Sequence, residues 1–114
     1  MKLYGIKNCD TVKKARRWLE ANAIDYQFHD LREQGLDRPM IDQWLKAIEI
    51  DQLLNKRSTT WKNLDASIRD NLQEGDIPDL LVTNPTLVKR PVLEQDSNVM
   101  VGFNDKTYTN FFDL

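Results

Sequence analysis

The stretch KLYGIKNCDTVKKARRWLEANAIDYQFH, residues 2–29, decides the fold class because its hydrophobic period changes twice. Residues 2–6 are a short apolar run typical of a strand, and Val12 to Ala21 carries apolar side chains at helical spacing. Residues 24–29 then alternate apolar and polar side chains, which is the period of a half-exposed strand. A strand, a helix and a strand within about 30 residues predict a βαβ unit with parallel strands and a right-handed crossover.

The middle of the chain, about residues 36–84, predicts a block of short helices. Asp37 is predicted to cap the first of them, with a proline in its first turn. The polar run at residues 55–60 predicts a loop, and Asn63 is predicted to cap a later helix that ends at Gly75. The block carries no linker, so we expect an insertion into a single domain of residues 1–114.

The last part of the chain returns to the strand period. Residues 91–94 and 99–103 predict two strands of a hairpin, and Asn104 is predicted to cap a closing helix. Taken with the opening unit, the order is βαβ, a helical insertion and ββα. This order predicts an α/β fold around a mixed four-stranded sheet.

Composition limits the classes of function. The chain has 114 residues and a formal net charge of −2, so we expect no direct binding to nucleic acid or to an anionic membrane. No apolar run approaches the roughly 20 residues that a membrane span needs. The only cysteine, Cys9, excludes an internal disulfide, and we expect a reducing, cytoplasmic environment.

Cys9 lies between the first strand and the first helix. Backbone N–H groups at a helix start lack internal partners, and the helix dipole adds positive charge there, so both favour a nucleophilic thiolate. Its neighbours Asn8, Asp10 and Thr11 are polar, and Thr11 could donate a hydrogen bond to the sulfur. The alternative is an inert, buried cysteine, which this polar setting disfavours.

Two arginines are candidates for binding anions. Arg90 precedes Pro91 at the start of a predicted strand, and a guanidinium can hold a carboxylate by two hydrogen bonds. Arg57, in the polar loop, is a candidate second contact. For each of these arginines, the alternative is a surface side chain that is paired with another residue or solvated. No spacing typical of metal ligands is present.

Three motifs together resemble the ArsC/Spx family. They are YGIKNCDT at residues 4–11, Asn-Lys-Arg at residues 55–57, and Asn-Pro-x-Leu-x-x-Arg-Pro at residues 84–91. The stretch NCDTVKKAR is most similar to the YffB-like subgroup, which is proposed to contain glutathione-dependent thiol reductases. The resemblance implies a thioredoxin-like fold with a helical insertion, and a cis proline at Pro91 facing the reactive cysteine.

The resemblance also implies a function and a site. The function is a monothiol thiol-disulfide reductase in which Cys9 is the nucleophile, Arg90 assists catalysis and glutathione is the co-substrate. The other disulfide partner is a small molecule or a protein, and no metal is expected. The implied substrate-binding residues are Asn8, Asp10, Thr11, Arg57 and Pro91.

Two other functions follow from the same resemblance. Arsenate reductases of this family hold the oxyanion with three arginines, whereas here Asn55 takes the middle position and no arginine follows Arg90. Spx-type regulators bind RNA polymerase and often carry C-x-x-C, but Val12 replaces the second cysteine. A reductase of arsenate with an incomplete arginine clamp and a redox-independent module that binds RNA polymerase therefore remain alternatives.

Overall fold

The computed structural model describes residues 1–114, and its centre is a four-stranded sheet in the order β2-β1-β3-β4. The strands are β1 (Lys2–Gly5), β2 (Gln27–Asp30), β3 (Val92–Gln95) and β4 (Asn98–Val101). β1 runs parallel to β2 and antiparallel to β3, and β3 and β4 form the hairpin. The mixed sheet and the parallel βαβ unit predicted from the sequence are confirmed.

Helix α1 (Asp10–Ala21) connects β1 to β2 and buries Val12, Ala15 and Leu19, the positions at helical spacing in the sequence. It begins two residues earlier than the apolar period indicates, because Cys9 has an extended backbone and acts as the N-cap. β2 begins at Gln27 rather than at residue 24. The half-buried Ile24 and Tyr26 precede it and pack on the core beside α1.

The remaining helices are short. They are α2 (Arg38–Leu45), α3 (Ile50–Leu53), α4 (Thr59–Lys62), α5 (Ala66–Asp70), α6 (Ile77–Thr83) and α7 (Asp105–Phe111). The predicted caps are confirmed at α2, where Asp37 accepts from the Met40 N–H, and at α7, where Asn104 accepts from the Lys106 N–H.

Two predictions in the insertion were wrong. The run predicted to be a loop contains the start of α4, because the Ser58 hydroxyl accepts the Trp61 N–H and caps that turn. Asn63 ends α4 instead of starting a helix; Asp65 caps α5, which ends at Asp70, well before Gly75.

The sheet separates two apolar clusters, because successive side chains of a strand point to opposite faces. Leu3 and Leu93 pack with α1 and the buried Tyr108 of α7 on one face. Their neighbours Tyr4 and Val92 pack with the helical insertion on the other face. The insertion therefore covers a sheet face that would otherwise expose apolar side chains. No helix in the structure combines the length and the apolar character that crossing a membrane requires.

Candidate active site

Cys9 occupies the N-cap of α1, directly after the turn that leaves β1. Its backbone is extended (φ −83°, ψ 123°), and its carbonyl oxygen accepts the Lys13 N–H at 3.0 Å. Its own N–H donates to the Ile6 carbonyl at 3.1 Å, which closes the turn. The thiol is half-buried and forms no capping hydrogen bond. The thiol therefore lies beside the helix N-terminus without a capping role.

A buried carboxylate, Asp30, holds this turn in place through hydrogen bonds to backbone N–H groups. It is only 3% exposed, and its Oδ2 accepts the Lys7 N–H at 3.2 Å. Its Oδ1 accepts the Arg32 and Glu33 N–H groups at 2.8 and 3.0 Å. Burial alone would raise the pKa of Asp30, but these three donors and the positive charge of Lys7 outweigh it and hold the pKa below its ordinary value. Asp30 thus ties the end of β2 to the turn that carries Cys9.

Two basic residues near Cys9, Lys7 and Arg16, are engaged with other side chains. The Lys7 ammonium pairs with Glu33 at 2.9 Å. The Arg16 guanidinium lies 4.1 Å from the centre of the Phe28 ring, and its Nε donates to the Tyr26 hydroxyl. Thr11 makes no hydrogen bond to Sγ. Two of the basic groups near Cys9 therefore already have partners, and the helix N-terminus is the clearest source of positive potential.

The Arg90–Pro91 peptide bond is cis, as expected from the resemblance. Pro91 is buried, and its carbonyl oxygen accepts the Gly102 N–H at 2.8 Å. Tyr4 of β1 pairs with Val92 of β3, so residue 91 lies across from the end of β1, where the chain turns toward Cys9. The sheet register therefore brings the cis proline and the cysteine loop to the same end of the sheet.

Arg90 lines a groove of about 490 Å³ with Lys89, Asn55, Gln52, Met100 and Gly102. Its Nε and Nη1 are buried and have no hydrogen-bond partner in the protein. Buried N–H groups without an acceptor are costly, and an anionic or carbonyl-bearing ligand at Arg90 would supply an acceptor. Cys9 does not line this groove, so a ligand held by Arg90 has to extend beyond it to meet the sulfur.

Arg57 is exposed and lies in an adjoining depression of about 480 Å³, which Lys56, Lys89 and Asn55 also line. Asn55 and Lys89 border both depressions. The backbone brings them together, since the Asn55 N–H donates to the Leu87 carbonyl at 2.7 Å and the Lys89 N–H donates to the Leu53 carbonyl at 2.8 Å. Arg57 and Arg90 therefore lie in adjoining depressions and do not line the same one.

The other residues predicted to bind substrate flank the cysteine. Asn8 and Asp10 are exposed, and Thr11 is half-buried. The sequence did not single out Asp30 or Lys89, and it singled out Asn55 only as the residue that replaces an arginine. For Asp30 a signal was present, because an aspartate at the end of a strand readily accepts backbone N–H groups of the following turn. The roles of Asn55 and Lys89 depend on pairing between distant segments, which no local pattern encodes.

A mixed sheet of βαβ and ββα units, with a cis proline and a helix-capping cysteine at one end, defines a thioredoxin-like fold with a helical insertion. The model of the ArsC family matches residues 4–111, and the chain belongs to this family.

Known relatives agree with this assignment. A solved structure named YffB is 38% identical, with a TM-score of 0.90 over 96% of both chains. An arsenate reductase (ArsC) related protein from Brucella melitensis is 47% identical, with a TM-score of 0.77 over 99% of this chain and 94% of that one. The global transcriptional regulator Spx of Lactiplantibacillus plantarum is 29% identical over 96% of this chain and 83% of its own length. The proteins that this chain is similar to therefore include both an arsenate reductase related protein and a transcriptional regulator.

Proposed function

We propose that this protein is a monothiol thiol-disulfide reductase that uses glutathione. The observation that carries the proposal is the position of Cys9: an unbonded, half-buried thiol at the N-cap of α1, at the sheet end that also carries the cis Pro91. Thiolate is the reactive form of cysteine, and a helix N-terminus stabilises it.

The reaction has two exchange steps. The Cys9 thiolate attacks the glutathione sulfur of a mixed disulfide, forms a Cys9–glutathione disulfide and releases the substrate thiolate. A second glutathione thiolate then attacks the glutathione sulfur of that adduct, which regenerates the Cys9 thiolate and releases oxidised glutathione. The substrate disulfide gains two electrons, and two glutathione sulfurs are joined in return.

An external thiol is needed because Cys9 is the only cysteine of the chain and no second thiol is present. Val12, at the position of a second cysteine in C-x-x-C, is fully buried in the core beneath α1. In the proposed complex, the Arg90 guanidinium, whose Nε and Nη1 have no partner within the protein, binds a glutathione carboxylate. Pro91 lies under the disulfide, and Asn8, Asp10 and Thr11 form the polar surface around the sulfur.

A turnover assay tests the proposal. Purified protein is given a peptide–glutathione mixed disulfide and reduced glutathione, and production of oxidised glutathione is followed through glutathione reductase and NADPH. We expect turnover with the wild type, none with Cys9→Ser, and a KM for glutathione about tenfold higher with Arg90→Gln, because one charge-assisted hydrogen-bond pair is lost. Activity retained by Cys9→Ser would contradict the proposal.

Arsenate is the second substrate to compare in the same assay. Asn55 stands where the family's oxyanion clamp has an arginine, and no arginine follows Arg90, so we expect far slower turnover with arsenate than with the mixed disulfide. Faster turnover with arsenate would assign the protein to arsenate reduction.

A regulatory role is the third candidate, and similarity to Spx over 96% of this chain favours it. In this case the protein binds RNA polymerase and needs no disulfide. Co-purification of RNA polymerase with wild type and Cys9→Ser in equal amounts, without turnover by the wild type, would support this role over the reductase.

A further inference from the structure

The depressions lined by Arg90 and by Arg57 adjoin each other, because Asn55 and Lys89 line both. We call the two depressions together the basic groove, defined by Asn55, Lys56, Arg57, Lys89 and Arg90. Asp51 is the single acidic residue that lines it. The chain as a whole has a net charge of −2, so positive charge is concentrated here against the overall balance.

The four cations of the basic groove lack carboxylate partners. The ion pairs of the chain join Lys7 to Glu33 and Arg38 to two aspartates elsewhere. Lys56 lies 5.6 Å from the centre of the Trp61 ring, and the Lys89 ammonium donates only to a backbone carbonyl. These positions are available for an anionic ligand, which the intramolecular contacts do not supply.

The walls of the groove are suited to a polypeptide. Half-buried Val99 and Val101 line the Arg90 end, and Gln52 and Asn55, whose side chains are amides, also line it. Apolar side chains together with amides fit a ligand with alternating apolar and hydrogen-bonding groups, as in an extended peptide. The two adjoining depressions, about 490 and 480 Å³, extend well beyond a single anion bound at Arg90.

We infer that the basic groove binds an acidic segment of the polypeptide that carries the disulfide, so that the protein acts preferentially on glutathionylated acidic proteins. This inference rests on the proposed function and adds the class of its substrate. The cations at the Arg57 end attract carboxylates of the substrate, and its glutathionylated cysteine reaches Cys9 past Arg90. Attraction between exposed charges weakens with salt, so the preference is ionic-strength dependent.

The first experiment compares two synthetic peptides that carry one glutathionylated cysteine. Several aspartates flank the cysteine in one, and asparagines replace them in the other. We expect kcat/KM to favour the acidic peptide at about 50 mM salt and the preference to shrink at about 300 mM. In Lys56→Gln/Lys89→Gln the ratio of the two kcat/KM values should fall, by about two- to fivefold for each cation removed.

The matched control removes the same charge elsewhere. Lys2→Gln/Lys106→Gln alters two exposed lysines outside the groove, and we expect it to keep the wild-type ratio. Circular dichroism and thermal melting of both variants establish that they are folded. An equal loss of preference in the control variant, or equal kcat/KM for both peptides in the wild type, would overturn the inference.

A second experiment measures binding without chemistry. Fluorescence anisotropy of labelled acidic and neutral peptides that lack a disulfide is followed with Cys9→Ser. We expect tighter binding of the acidic peptide, lost in the variant that also carries Lys56→Gln and Lys89→Gln. If both peptides bind equally, the acidic-substrate inference is refuted. The proposed function still stands in that case, provided that wild-type Cys9 reacts with oxidised glutathione. Selective binding by a protein whose Cys9 never reacts supports the groove and refutes the reductase.

Discussion

Replacing Asp30 by asparagine tests how the sheet holds the cysteine turn. In the wild type, Oδ1 accepts two backbone N–H groups and Oδ2 accepts the Lys7 N–H. An amide oxygen can keep the first two, but its NH2 group then faces the Lys7 N–H, donor against donor. One charge-assisted hydrogen bond is lost inside a site that is 3% exposed, so we expect the free energy of unfolding to fall by about 2–3 kcal/mol at neutral pH.

The stability difference between wild type and Asp30→Asn should depend on pH. The folded-state pKa of Asp30 lies below its unfolded value of 3.8, so its stabilisation is fully present above that value. It is lost as the pH falls through the folded-state pKa, because the wild type then protonates the same group. The difference between wild type and Asp30→Asn should therefore be constant from about pH 5 to 8 and shrink below about pH 4.

Urea unfolding at several pH values measures this difference, with Glu33→Gln as the control. Glu33 lies in the same turn but forms an exposed ion pair with Lys7, with side chains 55% and 61% exposed, so its replacement should cost less than about 1 kcal/mol. Iodoacetamide alkylation of Cys9 should also change in rate with Asp30→Asn and stay unchanged with Glu33→Gln. A penalty below about 0.5 kcal/mol for Asp30→Asn, or one of equal size at low and neutral pH, would refute the structural role given to Asp30.

Three further outcomes are expected. Gly5→Ala places a Cβ 2.8 Å from Val12 Cγ2, so α1 has to shift. We expect the free energy of unfolding in urea to fall by about 1–3 kcal/mol and the alkylation rate of Cys9 to change. An unchanged unfolding midpoint would contradict this close packing. Asp37→Ala removes the cap of α2 and should cost about 0.5–2 kcal/mol in the same assay, whereas Asp37→Asn should be nearly neutral. Burial raises the pKa of both Tyr4 and Tyr108, and for Tyr4 the nearby Glu94 carboxylate adds to this effect. The stabilisation that the two neutral phenols contribute is therefore present below about pH 10 and is lost as the pH rises further. Ultraviolet titration should show fewer ionised tyrosines in native than in urea-unfolded protein, and identical curves would refute their burial.

Local chemistry explains which elements the sequence could predict. The βαβ unit and the hairpin follow from period changes, and the caps of α2 and α7 follow from Asp37 and Asn104, whose side chains act on N–H groups two or three residues ahead. Inside the insertion, Ser58, Asn63 and Asp65 are all capping residues within a short stretch. Sequence alone does not rank them, because the packing of Trp61 and neighbouring side chains on the apolar cluster decides which turns form.

In the candidate site too, local features could be predicted from the sequence, whereas long-range contacts could not. The position of Cys9 at a helix start and of Pro91 before a strand could be inferred from local pattern and family resemblance. The partners of Arg16 could not, because they depend on how α1 lies beside β2. Asn55 and Lys89 meet through a bridge between Leu54 and Val88, and this long-range pairing appears only in the folded chain.

Mass spectrometry of the native protein after incubation with oxidised glutathione tests the central claim most directly. We expect one glutathione adduct on Cys9, its removal by reduced glutathione, and no adduct on Cys9→Ser. A native protein that stays unmodified, but whose Cys9 reacts after unfolding in urea, would contradict the assignment of Cys9 as the nucleophile.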